Sequence, residues 1–141
     1  MKRLLMTCAM LAVAACQQPP PPPVATAPPP KNYTVYFDYN SSRLSPAATE
    51  IVGLAAGAYK AGASSSVQVT GYASPPGSVG YNQRLSLRRA NAVAAQLQRD
   101  GVPQAALVVS GQGETSSAPT LGQNQRVAII IGGPPPAAPS S

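Results

Sequence analysis

Arg89 is the residue whose type and position point most directly to chemistry. At 3.6 residues per turn, residues 82–97 form a predicted helix with Leu85 and Val93 on the side that faces the core. Arg89 falls between these two apolar residues, with Asn82 as a polar neighbour on the same side. A guanidinium turned toward a core is unfavourable unless an anionic group meets it. The pattern therefore predicts a pocket at one end of a packed helix.

The elements that would position Arg89 alternate between strand and helix. Apolar alternation predicts strands at 33–38, 67–70, 107–110 and 126–131, and the capping signals of Ser45 and Ser78 begin two helices. On the first helix, the residues predicted to share the buried face are Ile51, Leu54, Ala55 and Ala58. The order β-α-β-α-β-β with half-buried strands predicts an α/β two-layer sandwich.

Two loops are expected to approach Arg89 in this topology. Asp38 follows the first strand and residues 72–76 follow the second. Ligands of α/β sheets tend to bind where loops leave the carboxyl ends of strands, so Asp38, this loop, Asn82 and Arg89 are expected to converge. Structural alternatives stay open: Arg89 paired with Asp38, Asp38 capping the turn that follows it, and Asn82 satisfying backbone groups at the helix start.

Composition argues against catalysis, metal binding and nucleic-acid binding. The chain has no histidine, and Cys8 and Cys16 both lie in its first sixteen residues. The commonest base and metal ligand are therefore missing, and a serine hydrolase would lack its partner base. We expect no enzyme activity, no metal and no cofactor. There is no platform of aromatic and basic residues for nucleic acid.

The chain carries a formal net charge of +6, with 10 basic and 4 acidic residues. Removal of Lys2 and Arg3 with a leader would leave 8 minus 4, or +4. This balance suits a carboxylate-bearing partner or an anionic surface.

The N-terminal residues have the form of a lipoprotein leader. A basic start and a short apolar run end at V-A-A-C, which resembles a bacterial lipobox. We expect a signal peptide at 1–15, lipidation of Cys16 with acyl chains such as palmitate, and a Pro-rich linker at 16–31. The alternative is an ordinary signal peptide with an incidental cysteine. Gln17 favours the outer membrane, and residues 132–141 form a predicted disordered tail.

The helix also carries a family resemblance. Residues 82–97 fit N-x-x-L-S-x-x-R-A-x-x-V-x-x-x-L, the pattern of the OmpA-like peptidoglycan-binding domain. The likeness extends to V-Y-F-D at 35–38, to Gly71 and Gly77, which bracket the ligand loop, and to N-Q-R-V at 124–127, where one arginine of the family is replaced. It covers residues 32–131 and implies a mixed four-stranded sheet packed on two helices.

The resemblance implies a site for the stem peptide of peptidoglycan, chiefly its diaminopimelate. Arg89 would hold the carboxylate through two parallel hydrogen bonds. The family places an aspartate for the ammonium where this chain has Ser74, and Tyr72 stands in place of a histidine. A hydroxyl cannot neutralise an ammonium, which predicts about tenfold weaker binding, partly offset by Asp38. Further expected ligand contacts are Asn82 and Arg126, the latter alternatively a sheet-edge charge.

These features together predict an outer-membrane lipoprotein whose periplasmic domain binds peptidoglycan without covalent chemistry. The membrane would then be tethered to the cell wall through the lipid anchor. The alternative is a degenerate module that binds a periplasmic protein partner in an envelope assembly.

Overall fold

The computed structural model describes residues 29–62, 66–115 and 121–132. The signal peptide, Cys16, most of the Pro-rich linker and the predicted tail after Gly132 lie outside these ranges. The described elements are β1 (Lys31–Tyr36), α1 (Pro46–Ala61), β2 (Val67–Ala73), α2 (Val79–Arg99), β3 (Leu107–Glu114), α3 (Leu121–Asn124) and β4 (Arg126–Ile131), with a 3₁₀ turn at Gln104–Ala106. Within these ranges no helix combines the length and the apolar character needed to span a bilayer.

The four strands form one mixed sheet in the order β1-β4-β2-β3. Strand β4 runs antiparallel to both β1 and β2, whereas β2 and β3 are parallel. The predicted α/β fold with a mixed four-stranded sheet is thereby confirmed. Because of these directions, the carboxyl ends of β1, β2 and β3 lie at the same edge of the sheet as the amino end of β4.

The core lies between the sheet and the helices. Strand β4 alternates strictly, with Val127, Ile129 and Ile131 buried. The face of α2 predicted to be buried is confirmed, since Val93 and Leu97 have no exposed surface. The residues on the opposite face of α2 are all exposed: Arg84, Arg88, Asn91, Ala95 and Gln98.

The predicted buried face of α1 is wrong in part. The structure buries Ala48, Val52, Ala55 and Ala56, whereas Leu54 is 65% exposed. Apolar residues occupy most positions around this helix, so its pattern does not single out one face. The face that packs is the one with the smaller side chains.

Both helices begin at the predicted caps. The Ser45 hydroxyl accepts a hydrogen bond from the Ala48 amide at 3.1 Å, and Pro46 occupies the first turn. The Ser78 hydroxyl likewise accepts from the Tyr81 amide at 3.2 Å. Each cap satisfies an amide that would otherwise lack a partner within its helix. Ser78 therefore fixes the start of α2, one turn before its polar inner residues.

Two glycines allow α2 to lie directly on the sheet backbone. Gly71 and Gly111 are opposite each other in the register of β2 and β3. A Cβ at Gly71 would lie 2.0 Å from the Ser86 carbonyl oxygen, and one at Gly111 would lie 2.7 Å from the Leu87 amide nitrogen. Only glycine permits this approach, which brings the next turn of α2 and its Arg89 to the edge of the sheet.

Candidate functional site

The Arg89 guanidinium is completely buried and holds three segments together. Its Nε donates to the Ser41 carbonyl at 2.7 Å, and Nη1 donates to the Tyr72 carbonyl at 3.1 Å. Its Nη2 donates to the Asp38 carbonyl and to Gln125 Oε1, each at 3.0 Å. Four of the five guanidinium N–H groups are thus engaged, which leaves one on Nη1.

All four acceptors of Arg89 are neutral. The alternative in which Arg89 pairs with the Asp38 carboxylate does not hold, because Asp38 contributes its backbone carbonyl instead. Desolvation lowers the pKa of the Arg89 guanidinium from its ordinary value. The guanidinium carbon lies 5.4 Å from the centroid of the Phe37 ring. Arginine still keeps its proton in proteins. Within the described ranges, the positive charge is therefore buried without an anionic partner.

A cavity of about 450 Å³ lies beside Arg89. The loop after β1 contributes Tyr39 and Asn40 to its wall, and the loop after β2 contributes Ser74 and Pro76. The loops that leave β1 and β2 therefore converge on Arg89. The cavity lies at the shared edge of the sheet described above.

The first turns of α2 form another wall of the cavity, with Tyr81, Asn82 and Leu85, and Gln125 closes it from the segment before β4. The Tyr81 hydroxyl donates to Asn40 Oδ1, which joins the start of α2 to the loop after β1. Arg89 is the charged residue in this lining, and no lining residue is acidic.

Asn82 has one satisfied and one unsatisfied amide atom. Its Nδ2 donates to Glu114 Oε2 at 3.1 Å, whereas its Oδ1 is buried and accepts no hydrogen bond. The alternative in which Asn82 satisfies backbone groups at the helix start does not hold, because Ser78 provides the cap. Asn82 instead lines the cavity and carries a buried acceptor without a donor.

Ser74 lies in the cavity wall and is 6% exposed. The Asp38 side chain, expected to offset the missing carboxylate, is exposed and does not line the cavity. Asp38 does close the turn after β1, but through its backbone, since the Ser41 amide donates to the Asp38 carbonyl at 3.1 Å.

Arg126 is the first residue of β4 and lies outside the cavity lining. Its guanidinium carbon stacks 4.5 Å from the centroid of the Tyr72 ring, and its Nη1 donates to the Gln123 carbonyl at 3.0 Å. These contacts fit the sheet-edge alternative.

Sequence reasoning missed several cavity residues, notably Tyr39, Asn40, Tyr81 and Gln125. Gln125 had a signal, because it occupies the position in N-Q-R-V where the family arginine is replaced. Tyr39, Asn40 and Tyr81 had no such signal, since the approach of the loop after β1 to the start of α2 depends on the turn that follows β1. In the part of the chain that the structure describes, no acidic or cysteine cluster could hold a metal.

Comparison with known proteins identifies the domain. The model of the OmpA family matches residues 36–128. The chain belongs to the OmpA family. The OmpA-like domain indicated by the helix motif is thus confirmed.

Two curated relatives of this OmpA-family chain carry envelope names. An outer membrane protein of Gluconacetobacter diazotrophicus is 41% identical over 113 residues, which cover 72% of this chain and 30% of that protein. The outer-membrane lipoprotein YfiB of Pseudomonas aeruginosa is 35% identical over 103 residues, which cover 69% of this chain and 61% of that protein. The matched part is less than two thirds of either relative.

Solved structures share the OmpA-like fold. The OmpA-like domain of FopA1 from Francisella tularensis has a TM-score of 0.68 at 26% identity and covers 72% of this chain and 71% of that chain. The peptidoglycan-associated lipoprotein of Burkholderia pseudomallei has a TM-score of 0.66 at 24% identity and covers 70% of this chain and 89% of that chain.

Proposed function

We propose that this domain binds the stem peptide of peptidoglycan through a carboxylate that enters the cavity beside Arg89, without catalysis. The observation that carries the proposal is the guanidinium itself, which is fully buried beside a cavity of about 450 Å³ and contacts neutral acceptors alone. A charge taken out of water in this way is stabilised when an anion meets it.

The contact differs from the bidentate grip predicted from the sequence. Four of the five guanidinium N–H groups are occupied, so one Nη1 N–H remains for the carboxylate. Ser74 and Tyr39 belong to the same wall, and their hydroxyls can act as further donors. The ligand carboxylate would therefore accept one bond from the guanidinium and further bonds from neutral hydroxyls, rather than a fork of two N–H groups.

We place the domain in the periplasm, anchored in the outer membrane through lipid on Cys16. The lipobox and the Pro-rich spacer support this placement, as do relatives named an outer membrane protein and an outer-membrane lipoprotein. The chain would then tether the membrane to the wall. A Cys16→Ala variant should lose incorporation of labelled palmitate and leave the membrane fraction, and unchanged labelling would refute the anchor.

Co-sedimentation with purified sacculi tests the binding function. Arg89→Lys keeps the charge but cannot reach the same four acceptors, and we expect it to be retained at least about tenfold less than wild type. Arg88→Lys is the matched control, because Arg88 is the exposed neighbour on the same helix. Equal retention of the two variants would contradict the role of Arg89, and no retention of wild type would contradict wall binding.

A second candidate function is the binding of a periplasmic protein. The observation that favours it is that no acidic residue lines the cavity, so a zwitterionic stem would lack a partner for its ammonium. A photo-crosslinking residue at position 39, at the cavity wall, separates the two candidates in the cell. Capture of muropeptides supports the wall, and capture of one defined protein supports the partner.

A further inference from the structure

The cavity beside Arg89 has a positive charge and no acidic residue in its wall, and the exposed Glu114, which accepts from Asn82, does not belong to the lining. A free amine brought into the cavity as an ammonium would face a like charge without a counter-ion in the wall. By contrast, a neutral amide N–H would meet no such repulsion, since it needs an acceptor and not a carboxylate. The chemistry of the wall therefore bears on which form of stem peptide fits.

Asn82 supplies such an acceptor, and its orientation follows from Glu114. A carboxylate only accepts hydrogen bonds, so the Asn82 amide must turn its Nδ2 toward Glu114 Oε2, which lies 3.1 Å away. The carbonyl Oδ1 is thereby turned away from Glu114, and it is buried with no donor. Asn82 as a whole is 1% exposed.

Gly77 also lines the cavity and lies directly against Asn82 Oδ1. A Cβ at Gly77 would lie 2.8 Å from this oxygen, so a larger residue would clash with it. Ser74 is on the same wall, and its hydroxyl can accept one hydrogen bond without adding charge. Ser74 and Asn82 thus belong to the same cavity wall as Arg89, and both side chains carry neutral acceptors.

We propose that the cavity selects a carboxylate whose neighbouring amine is acylated, as it is at a peptide cross-link, over one whose amine is free. Ser74 and Asn82 are the residues that determine this specificity. The inference rests on the proposed binding of stem peptides at Arg89. The domain would then hold cross-linked positions of the wall rather than free stem ends.

The room around the site allows the extra acyl group. An acylated amine continues into a second peptide, which must leave the cavity. Tyr39, in the cavity wall, is 65% exposed and Pro76 and Gly77 are also exposed, so the wall at these loops reaches the surface. A second peptide can leave past these residues.

The test is a pair of binding titrations on the detergent-solubilised full chain, with the heat of binding measured by calorimetry. The probes are a tripeptide stem ending in diaminopimelate with its side-chain amine free, and the same stem with that amine acetylated. We expect the acetylated stem to bind about tenfold more tightly. Its amide N–H makes a hydrogen bond to a neutral acceptor, whereas the free ammonium stays without a counter-ion. Equal affinity, or a preference for the free amine, would overturn the inference.

Substitution of Ser74 sharpens the result. Ser74→Asp introduces a carboxylate and should shift the preference by about tenfold or more toward the free amine. Ser74→Asn is the matched control, because asparagine has the size of aspartate without its charge. This variant should keep the wild-type preference. A Ser74→Asp protein with an unchanged preference would contradict the role of Ser74. If Ser74→Asp does not fold, the wild-type comparison decides the inference alone.

The outcomes separate this inference from the function on which it rests. Binding of the free stem alone leaves the wall-binding proposal standing and removes the specificity for cross-links. Failure of the chain to bind either stem removes the proposed function and the inference together. Retention on sacculi should also rise with their degree of cross-linking, and a fall would overturn the inference.

Discussion

Arg89 Nη2 donates to Gln125 Oε1 at 3.0 Å, and among the described residues this is the one bond of the guanidinium to another side chain. Gln125 occupies the position where an arginine of the family motif is replaced. Its amide satisfies an N–H of Arg89 without neutralising the charge. The pair therefore organises the cavity and leaves the positive charge available to an anion from outside the chain.

Gln125→Glu should separate stability from binding. The new carboxylate would meet Arg89 directly, so the guanidinium would have an internal counter-ion and a weaker attraction for a ligand. We expect retention on sacculi to fall at least about tenfold, while the free energy of unfolding falls by no more than about 1 kcal/mol. Co-sedimentation and urea unfolding measure the two effects. Undiminished retention would show that the charge of Arg89 is not what holds the wall.

Arg89→Ala should destabilise the fold strongly, because it removes the side-chain donor of the Ser41 and Tyr72 carbonyls and one of the two donors of the Asp38 carbonyl. We expect a loss of at least about 3 kcal/mol in the free energy of unfolding. Arg88→Ala on the exposed side of α2 should change it by no more than about 0.5 kcal/mol. Similar urea midpoints for the two variants would contradict the structural role of Arg89.

The contact between α2 and the sheet can be tested at Gly71. Gly71→Ala would place a methyl group 2.0 Å from the Ser86 carbonyl, and we expect a loss of about 3 kcal/mol. Gly53→Ala is the control, since nothing lies within 4 Å of its Cβ position in the exposed part of α1. There alanine should raise stability by about 0.5–1 kcal/mol. A neutral Gly71→Ala would mean that α2 lies farther from β2 than described.

Tyr39 tests the cavity without disturbing the core. Its side chain lines the cavity and is 65% exposed, so Tyr39→Ala should weaken binding of the stem peptide several-fold with little loss of stability. Leu54→Ala removes an equally exposed apolar side chain from α1, outside the cavity. Calorimetry on the two variants should show a change for Tyr39 alone. Equal affinities would place the ligand elsewhere.

Much of the architecture could be predicted because it depends on local rules. Ser45 and Ser78 cap their helices through their own hydroxyls, and the inner face of α2 follows from one helical period. The same period places Arg89 among the buried residues. The buried face of α1 could not be predicted in full, because alanine and glycine occur on several sides of the helix and do not indicate which side packs. Leu54, which was expected on the buried face, is exposed.

The site was less predictable than the fold because its contacts come from the backbone. Nothing in the side chains of Ser41 or Tyr72 indicates that their carbonyls accept from Arg89. The same holds for Asp38, whose carboxylate is the group that the sequence indicates, whereas its backbone carbonyl makes the bond. Arg126 had a charge that suggested a ligand contact, yet it stacks on Tyr72.

The most direct measurement is an NMR titration of the ¹⁵N-labelled chain with the tripeptide stem, observed at the side-chain N–H groups of Arg89. We expect the resonances of the Arg89 Nε–H and of the Gln125 side-chain amide to shift together and saturate with one affinity, while the side-chain resonance of the exposed Arg88 stays unchanged. Binding that leaves the Arg89 and Gln125 resonances in place, or no binding at all, would contradict this expectation.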